Sequence, residues 1–335
     1  MTREEHDHPG STSNLQQSVA QIAETMTNVE EAIGRAVVGQ KTVIREVLVA
    51  LIAGGHVLVE GVPGLGKTLL VRALTKTVDA QFSRIQFTPD LMPSDVTGHA
   101  VFDTKLEQFK IRRGPVFSNF LLADEINRAP ARTQSALLEV MQEQQVTIEG
   151  KCIDLHPPFM VLATQNPVEQ EGTYPLPEAQ VDRFLLKVKI DYPAHSEETA
   201  LVAQVTRASI GDKLNVDQVT QVLNPQQVIE YQALASNIPI DQEVIDYVVR
   251  IVRATREWVG IHMGSGPRGS IALVRAGRAH ALLNGNPFVT PDDIKAVVKP
   301  VLRHRINLTP DLEIEGMRTD DVLDRLLEEV KAPRL

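Results

Sequence analysis

The chain has 335 residues, 43% of them hydrophobic and 23% charged, with a formal net charge of −9. That length suits about two domains with ample cores, the acidic total argues against a broad nucleic-acid or anionic-membrane surface, and the single Cys152 excludes an intrachain disulfide. Apolar runs such as Val47–Ala53 fall far short of the roughly 20 residues that span a bilayer, and Met1–His8 lacks the basic-then-apolar layout of a signal peptide, so a cytoplasmic protein without a membrane span is expected.

Residues 1–13 are polar, contain Pro9-Gly10-Ser11, and are expected to form a disordered leader, in which His6 and His8 are simply solvated. Asn14 can cap a helix that runs to Gly34, with Leu15, Ile22, Met26, Val29 and Ile33 at helical spacing. After Val38-Gly39-Gln40, a second helix from Lys41 to Ala53 should stop at Gly54-Gly55. Val57–Glu60 then reads as a strand.

That strand leads into Gly61-Val62-Pro63-Gly64-Leu65-Gly66-Lys67-Thr68, which opens a helical stretch at Leu69-Leu70-Val71. This is a P-loop in the strand–loop–helix setting the motif requires. Its glycines let successive backbone N–H groups turn inward on phosphate oxygens, and the helix that follows adds its positive end. Lys67 would reach the β- and γ-phosphates and the Thr68 hydroxyl would ligate magnesium. The chain is therefore expected to bind a nucleoside triphosphate.

Short apolar runs at 82–87, 119–123, 159–164 and 184–190 suit further strands of a buried parallel sheet. Two pairs of short segments interrupt the alternation: His99–Phe102 with Gln108–Ile111, and Gln145–Ile148 with Cys152–Leu155. Both read as inserted β-hairpins. Cys152 and His156 carry no nucleophile pattern and receive no catalytic role.

About 55 residues after the P-loop, Asn119-Phe120-Leu121-Leu122-Ala123 ends in Asp124-Glu125, a Walker B pattern. At the carboxyl end of a strand beside the P-loop strand, Asp124 can hold magnesium while Glu125 polarises an attacking water. The pair favours hydrolysis over binding alone.

Beyond Tyr192-Pro193-Ala194, amphipathic helices are expected around 196–208, 225–236, 241–258, 270–284, 291–302 and 319–331, punctuated by Asn224-Pro225 and Thr290-Pro291-Asp292-Asp293. Trp258 and Met263 read as packing residues. The resulting partition is a leader at 1–13, an N-terminal helix at 14–34, an ATPase-type domain at 35–192, a linker with a connecting helix at 193–214, and a helical domain at 215–335.

From about residue 20 to its end the chain resembles the MoxR family of AAA+ ATPases. Val38-Gly39-Gln40 is similar to the stretch such proteins place beside the adenine, Phe87–Asp95 and Asp124–Ala129 to family signatures, and Thr164-Gln165-Asn166-Pro167 to a sensor 1 strand end. The resemblance implies an α/β fold: a P-loop αβα sandwich with a five-stranded parallel sheet, followed by a C-terminal α-helical lid, with ATP between them. It also implies nucleotide contacts along Val38, Gly39, Gly61, Val62, Pro63, Gly64, Leu65, Gly66, Lys67, Thr68 and Leu69, magnesium held by Thr68 and Asp124, and Asn166 orienting water or touching the γ-phosphate.

By the same resemblance, Leu176–Phe184 supplies an arginine finger to the neighbouring subunit, with Arg183 the first candidate and Arg128 its competitor, and Arg268 reaches from the lid to the nucleotide. Gly269 departs from what the first turn of a helix prefers and should loosen it. The two hairpins match insertions that face the central pore in this branch. A ring, hexameric by resemblance, coupled to protein remodelling or cofactor insertion, with a von Willebrand factor A domain partner and a client, is the implied function. A binding switch with little turnover, a chelatase-type motor and a nucleic-acid motor remain alternatives.

Overall fold

The computed structural model describes residues 9–62, 64–166, 173–206 and 216–333. In chain order it contains α1 (Pro9–Gly34), α2 (Lys41–Ile52), β1 (Val57–Glu60), α3 (Lys67–Val78), β2 (Phe82–Gln86), α4 (Pro93–Thr97), β3 (Gly98–Asp103), β4 (Gln108–Arg113) and β5 (Phe120–Asp124). A 3-10 turn (Ile126–Arg128) precedes α5 (Ala131–Glu143), β6 (Gln145–Ile148), β7 (Lys151–Asp154), β8 (Met160–Gln165), α6 (Glu178–Val181), β9 (Leu186–Lys189) and α7 (His195–Thr206). The second half adds α8 (Pro225–Ser236), α9 (Gln242–Glu257), β10 (Ile261–Met263), α10 (Pro267–Leu283), α11 (Pro291–Leu302), β11 (Asn307–Leu308), α12 (Pro310–Ile314) and α13 (Thr319–Glu329).

Among the described residues, five strands pair in parallel in the order β2-β5-β8-β1-β9. The strands read as unbroken apolar runs because both faces of the sheet are covered. Val57, Val59, Phe120, Leu122, Met160 and Leu162 enter the larger core, with α1–α3 and the lid helices. Leu58, Leu121, Ala123, Val161 and Ala163, the alternate positions, enter a second core with Leu137, Leu138 and Met141 of α5. The period of two thus assigns each strand residue to one of two layers.

Both expected hairpins form, β3 against β4 with Phe102 opposite Phe109, and β6 against β7 with Thr147 opposite Cys152. In the helical half, Asn224 caps α8 by accepting the Gln227 amide at 2.9 Å, and Thr290 caps α11 by accepting the Asp293 amide at 3.2 Å. Asp241 likewise caps α9, accepting the Glu243 amide at 2.7 Å.

The N-terminal helix begins earlier than expected. α1 starts at Pro9, not Asn14, so residues 9–13 are helical and only residues 1–8 of the expected leader lie outside the described residues. Proline is tolerated in the first helical turn, where its missing N–H is not needed. α10 likewise starts at Pro267, ahead of the expected 270. Gly269 in its first turn serves packing: a Cβ there would meet Ser265 Oγ at 2.1 Å and Leu302 Cδ2 at 3.2 Å.

Candidate functional site

The loop between β1 and α3 is shaped by its glycines. Gly64 and Gly66 hold φ of +86° and +77°, which side-chain-bearing residues rarely adopt. Gly61 abuts the end of β9 so closely that a Cβ would lie 2.7 Å from the Ile190 carbonyl oxygen. Lys67 Nζ donates to the Gly61 carbonyl, folding the lysine across the loop mouth. Burial pulls its pKa below the usual lysine value, while Asp124, Glu125 and Glu60 oppose that shift.

A cavity of about 320 Å³ opens here, lined by Gly64, Gly66, Lys67, Thr68, Leu69, Arg84, Gln86, Asp124, Glu125 and Asn166. The P-loop, the Walker B carboxylates and Asn166 are therefore brought to one place, with Leu65 and Leu69 packed down on the core behind them. Pro63 lies outside the described residues. Val38 and Gly39 stand to one side, where Gln40 Nε2 donates to the Asp191 carbonyl at 3.4 Å and the Glu197 side chain covers Gly39.

Asp124 and Glu125 are held by Thr164 and Arg128, assigned other roles from sequence, and by Arg84 and Gln86, which the sequence reading does not single out. Thr164 Oγ1 donates to Asp124 Oδ1 at 2.6 Å and accepts the Glu125 amide at 2.8 Å. Arg84 pairs with Asp124 Oδ2 at 2.7 Å, and Glu125 Oε2 accepts from both Gln86 Nε2 and Arg128 Nε at 2.9 Å. Glu125 also carries φ of +56°, a strained conformation for a residue with a Cβ. The signal for Arg84 and Gln86 was the register: two residues apart on β2, they share a face beside β5, with Gln86 directly opposite Asp124.

The Asp124 carboxylate and the Thr68 hydroxyl are hard oxygen ligands and the loop backbone supplies N–H donors, the set that suits magnesium with phosphates. Among the described residues no cluster of three His, Cys, Asp or Glu side chains offers an all-protein metal cage.

The remaining arginines lie elsewhere. Asp182 and Arg183 precede β9, which runs parallel to β1 with Leu186 opposite Val57 and Lys189 opposite Glu60. Arg183, three residues ahead of β9, thus stands at the amino end of the sheet, separated from the loop that follows Glu60 by more than the length of β1, about 13 Å. There it lines a cavity of about 380 Å³ with Asp182, Arg268, Arg275 and Arg305. Arg305 Nε donates to Asp182 Oδ1 at 2.8 Å and its NH2 to the Phe184 carbonyl at 2.6 Å, while Arg275 donates to the carbonyls of Ala53 and Gly54 at 2.8 and 3.0 Å.

Arg268, expected to reach from the lid to the nucleotide, stands apart from the phosphate loop of its own chain. It does not line the phosphate cavity but sits 3.6 Å from Asp182, grouped with Arg183. The lid is seated there by two arginines: Arg275 of α10 donates to the Ala53 and Gly54 carbonyls ahead of β1, and Arg305 buries its guanidinium among the carbonyls that lead into β9. The lid instead approaches the phosphate site through a cavity of about 460 Å³ that shares Asn166 and is lined by Glu60, Gln165, Arg303 and Asn307. Arg128, the competing finger, is engaged with Glu125 of its own chain.

Comparison with known proteins follows the same division. Residues 56–186 match the family described as "ATPase family associated with various cellular activities (AAA)", and residues 253–326 match the "AAA lid domain". The chain is 41% identical to Chaperone MoxR1 of Mycobacterium tuberculosis over 98% of its own length and 86% of that protein. It is 45% identical to the uncharacterized protein YeaC of Bacillus subtilis over 90% of this chain and 93% of that one. A crystal structure of a candidate ATPase from Cytophaga hutchinsonii superposes with a TM-score of 0.87 at 42% identity, covering 97% of this chain and 99% of the other.

Proposed function

The chain belongs to the MoxR family of AAA+ ATPases, and from that premise we propose that it hydrolyses ATP with magnesium in a homo-oligomeric ring, with Arg183 and Arg268 of each copy completing the site of its neighbour. The observation that carries this reading is the separation within one chain. Lys67, Thr68, Asp124, Glu125 and Asn166 line one cavity, and Arg183 with Arg268 lines another at the opposite end of the sheet. Two arginines that are remote from their own phosphate loop suit delivery across a subunit interface.

In this reading the amides of 64–68 and Lys67 bind the phosphates, Lys67 leaving the Gly61 carbonyl to do so. Thr68 and Asp124 would hold magnesium, which would supply positive charge against the phosphates. Glu125 takes the proton of the attacking water, and so must exchange its contacts with Arg128 and Gln86 for one with that water. Asn166 orients the water. Arg183 offsets the charge that grows on the transferred group.

Turnover would drive remodelling of another protein: a client awaiting assembly or cofactor insertion, presented through a von Willebrand factor A domain protein in the cytoplasm. The relative named as a chaperone supports that reading. A hexamer is the proposed ring size.

Subunit mixing tests the composite site. Lys67→Ala subunits keep their arginines but lose their own site, and Arg183→Ala subunits do the reverse. Each preparation alone should be nearly inactive while the mixture regains activity. A mixture that assembles yet stays inactive, or an Arg183→Ala protein that turns over like the parent, sinks the proposal.

A further inference from the structure

β2 is an edge strand, paired on one side with β5. Its outer side borders a groove of about 630 Å³ whose lining includes Ser83, Arg84, Asp95, His99, Arg112 and Arg113. The lining carries three arginines and one carboxylate, and Asp95 already accepts the Met92 amide at 2.9 Å, capping α4. Arg113 is braced over the Phe117 ring, 5.2 Å from its centroid. Three residues further out along the β3–β4 hairpin from His99 and Arg112, Phe102 and Phe109 stack edge to face with centroids 5.2 Å apart, and Phe109 is 73% exposed.

An unpaired strand edge offers main-chain hydrogen bonds to an extended segment. The arginines select carboxylates in that segment, and the Phe102–Phe109 pair takes an apolar side chain further along it. A long polyanion would meet the field of a chain whose net charge is −9, whereas a short acidic segment feels chiefly the arginines within a Debye length. The chemistry therefore favours an acidic peptide over nucleic acid.

Arg84 lines both this groove and the phosphate cavity. Its NH2 bridges Asp124 Oδ2 at 2.7 Å and Gln86 Oε1 at 3.1 Å, and its side chain is half exposed. A cation on that carboxylate oxygen competes with magnesium for the same lone pairs. We propose that the groove binds an extended acidic segment of a partner protein as a strand added to β2, and that the segment's carboxylates draw Arg84 off Asp124, so that a filled groove strengthens magnesium binding. The second half rests on the proposed ATPase site; the first half does not.

The probe is a fluorescein-labelled nonapeptide of alternating Glu and Val, titrated against the full chain without nucleotide and followed by anisotropy. Binding should weaken with added salt, fall at least about tenfold in Arg112→Ala/Arg113→Ala and again in the single reversal Arg112→Glu, and persist in Lys67→Ala. Magnesium titrations of ATP binding should then half-saturate at about three- to tenfold lower metal with the peptide present. In Arg84→Gln the shift should be present without peptide and unchanged by it.

No binding of the acidic peptide, equal binding of a Lys-Val peptide, or binding untouched by the arginine variants overturns the groove assignment, as does a single-stranded oligonucleotide that displaces the peptide. Peptide binding with an unmoved magnesium midpoint overturns the coupling. If nucleotide binding shows no magnesium dependence in any variant, the ATPase reading fails and takes the coupling with it, while the groove assignment stands.

Discussion

The Thr164 hydroxyl donates to Asp124 Oδ1 at 2.6 Å and accepts the Glu125 amide at 2.8 Å, so one buried side chain near the end of β8 fixes both Walker B residues, the last of β5 and the one that follows it. Thr164→Val keeps the shape and removes both bonds. The Glu125 N–H, left without its partner, costs about 1–3 kcal/mol, and the left-handed backbone of Glu125 is then held only through its side chain and carbonyl. A denaturant midpoint lowered by an amount in that range, with turnover reduced further than stability explains, is the expected result. A midpoint within about 0.5 kcal/mol of the parent contradicts the role given to Thr164.

Arg128 sits 2.9 Å from Glu125 of its own chain, so any defect it causes should stay with the subunit that carries it. Arg128→Ala mixed with Lys67→Ala should therefore show no rescue, in contrast to Arg183→Ala in the same assay. Rescue by mixing would mean that Arg128 acts across the interface. That one outcome separates the two arginines that sequence alone left in competition.

Gly269→Ala sets two effects against each other. Alanine in the first turn of α10 gains up to about 1 kcal/mol in helix propensity. Its Cβ, however, would lie 2.1 Å from Ser265 Oγ, and Ser265 is pinned, its amide bonded to Thr255 Oγ1 at 2.9 Å and its carbonyl to Arg256 Nε at 2.8 Å. Overpacking of an immobile neighbour costs about 1–3 kcal/mol, so the net change should be destabilising. Thermal melting checks the sign, and a raised melting temperature would show that the turn relaxes freely.

The sheet, both hairpins and the phosphate loop were legible because each rests on local information: alternation onto two covered faces, a run of glycines, carboxylates at a strand end. What sequence did not disclose was relational. Arg84 and Gln86 became site residues only once β2 and β5 were placed in register, with Gln86 opposite Asp124. The position of Arg268 depended on the lid docking through Arg305, a residue whose burial among carbonyls 120 or so positions away has no local signature. The early start of α1 was hidden by a polar composition that suits a leader and a helix equally.

Glu46, on α2, lines a cavity of about 450 Å³ with Arg45, His280 and residues of α11. Burial pushes its carboxyl up from the ordinary 4.5 to about 7, with Arg303 opposing and Asp320 adding to the shift. The folded state thus holds this proton more tightly than the unfolded chain, so the associated stability is full below about pH 4.5 and is lost as pH rises to about 7, by up to roughly 3 kcal/mol. His56 works in the other direction: buried between the Met141 carbonyl and the Val161 amide, its pKa falls to about 4, and stability is lost as pH falls from 6.5 towards that value. The two oppose each other below pH 6.5, so comparison with Glu46→Gln isolates the carboxyl. The variant should gain on the parent between pH 5 and pH 8, read as the difference in urea midpoints at each pH. A difference that is equal at the two pH values would mean that Glu46 is ionised in the folded protein throughout, held by Arg303 rather than neutralised by burial.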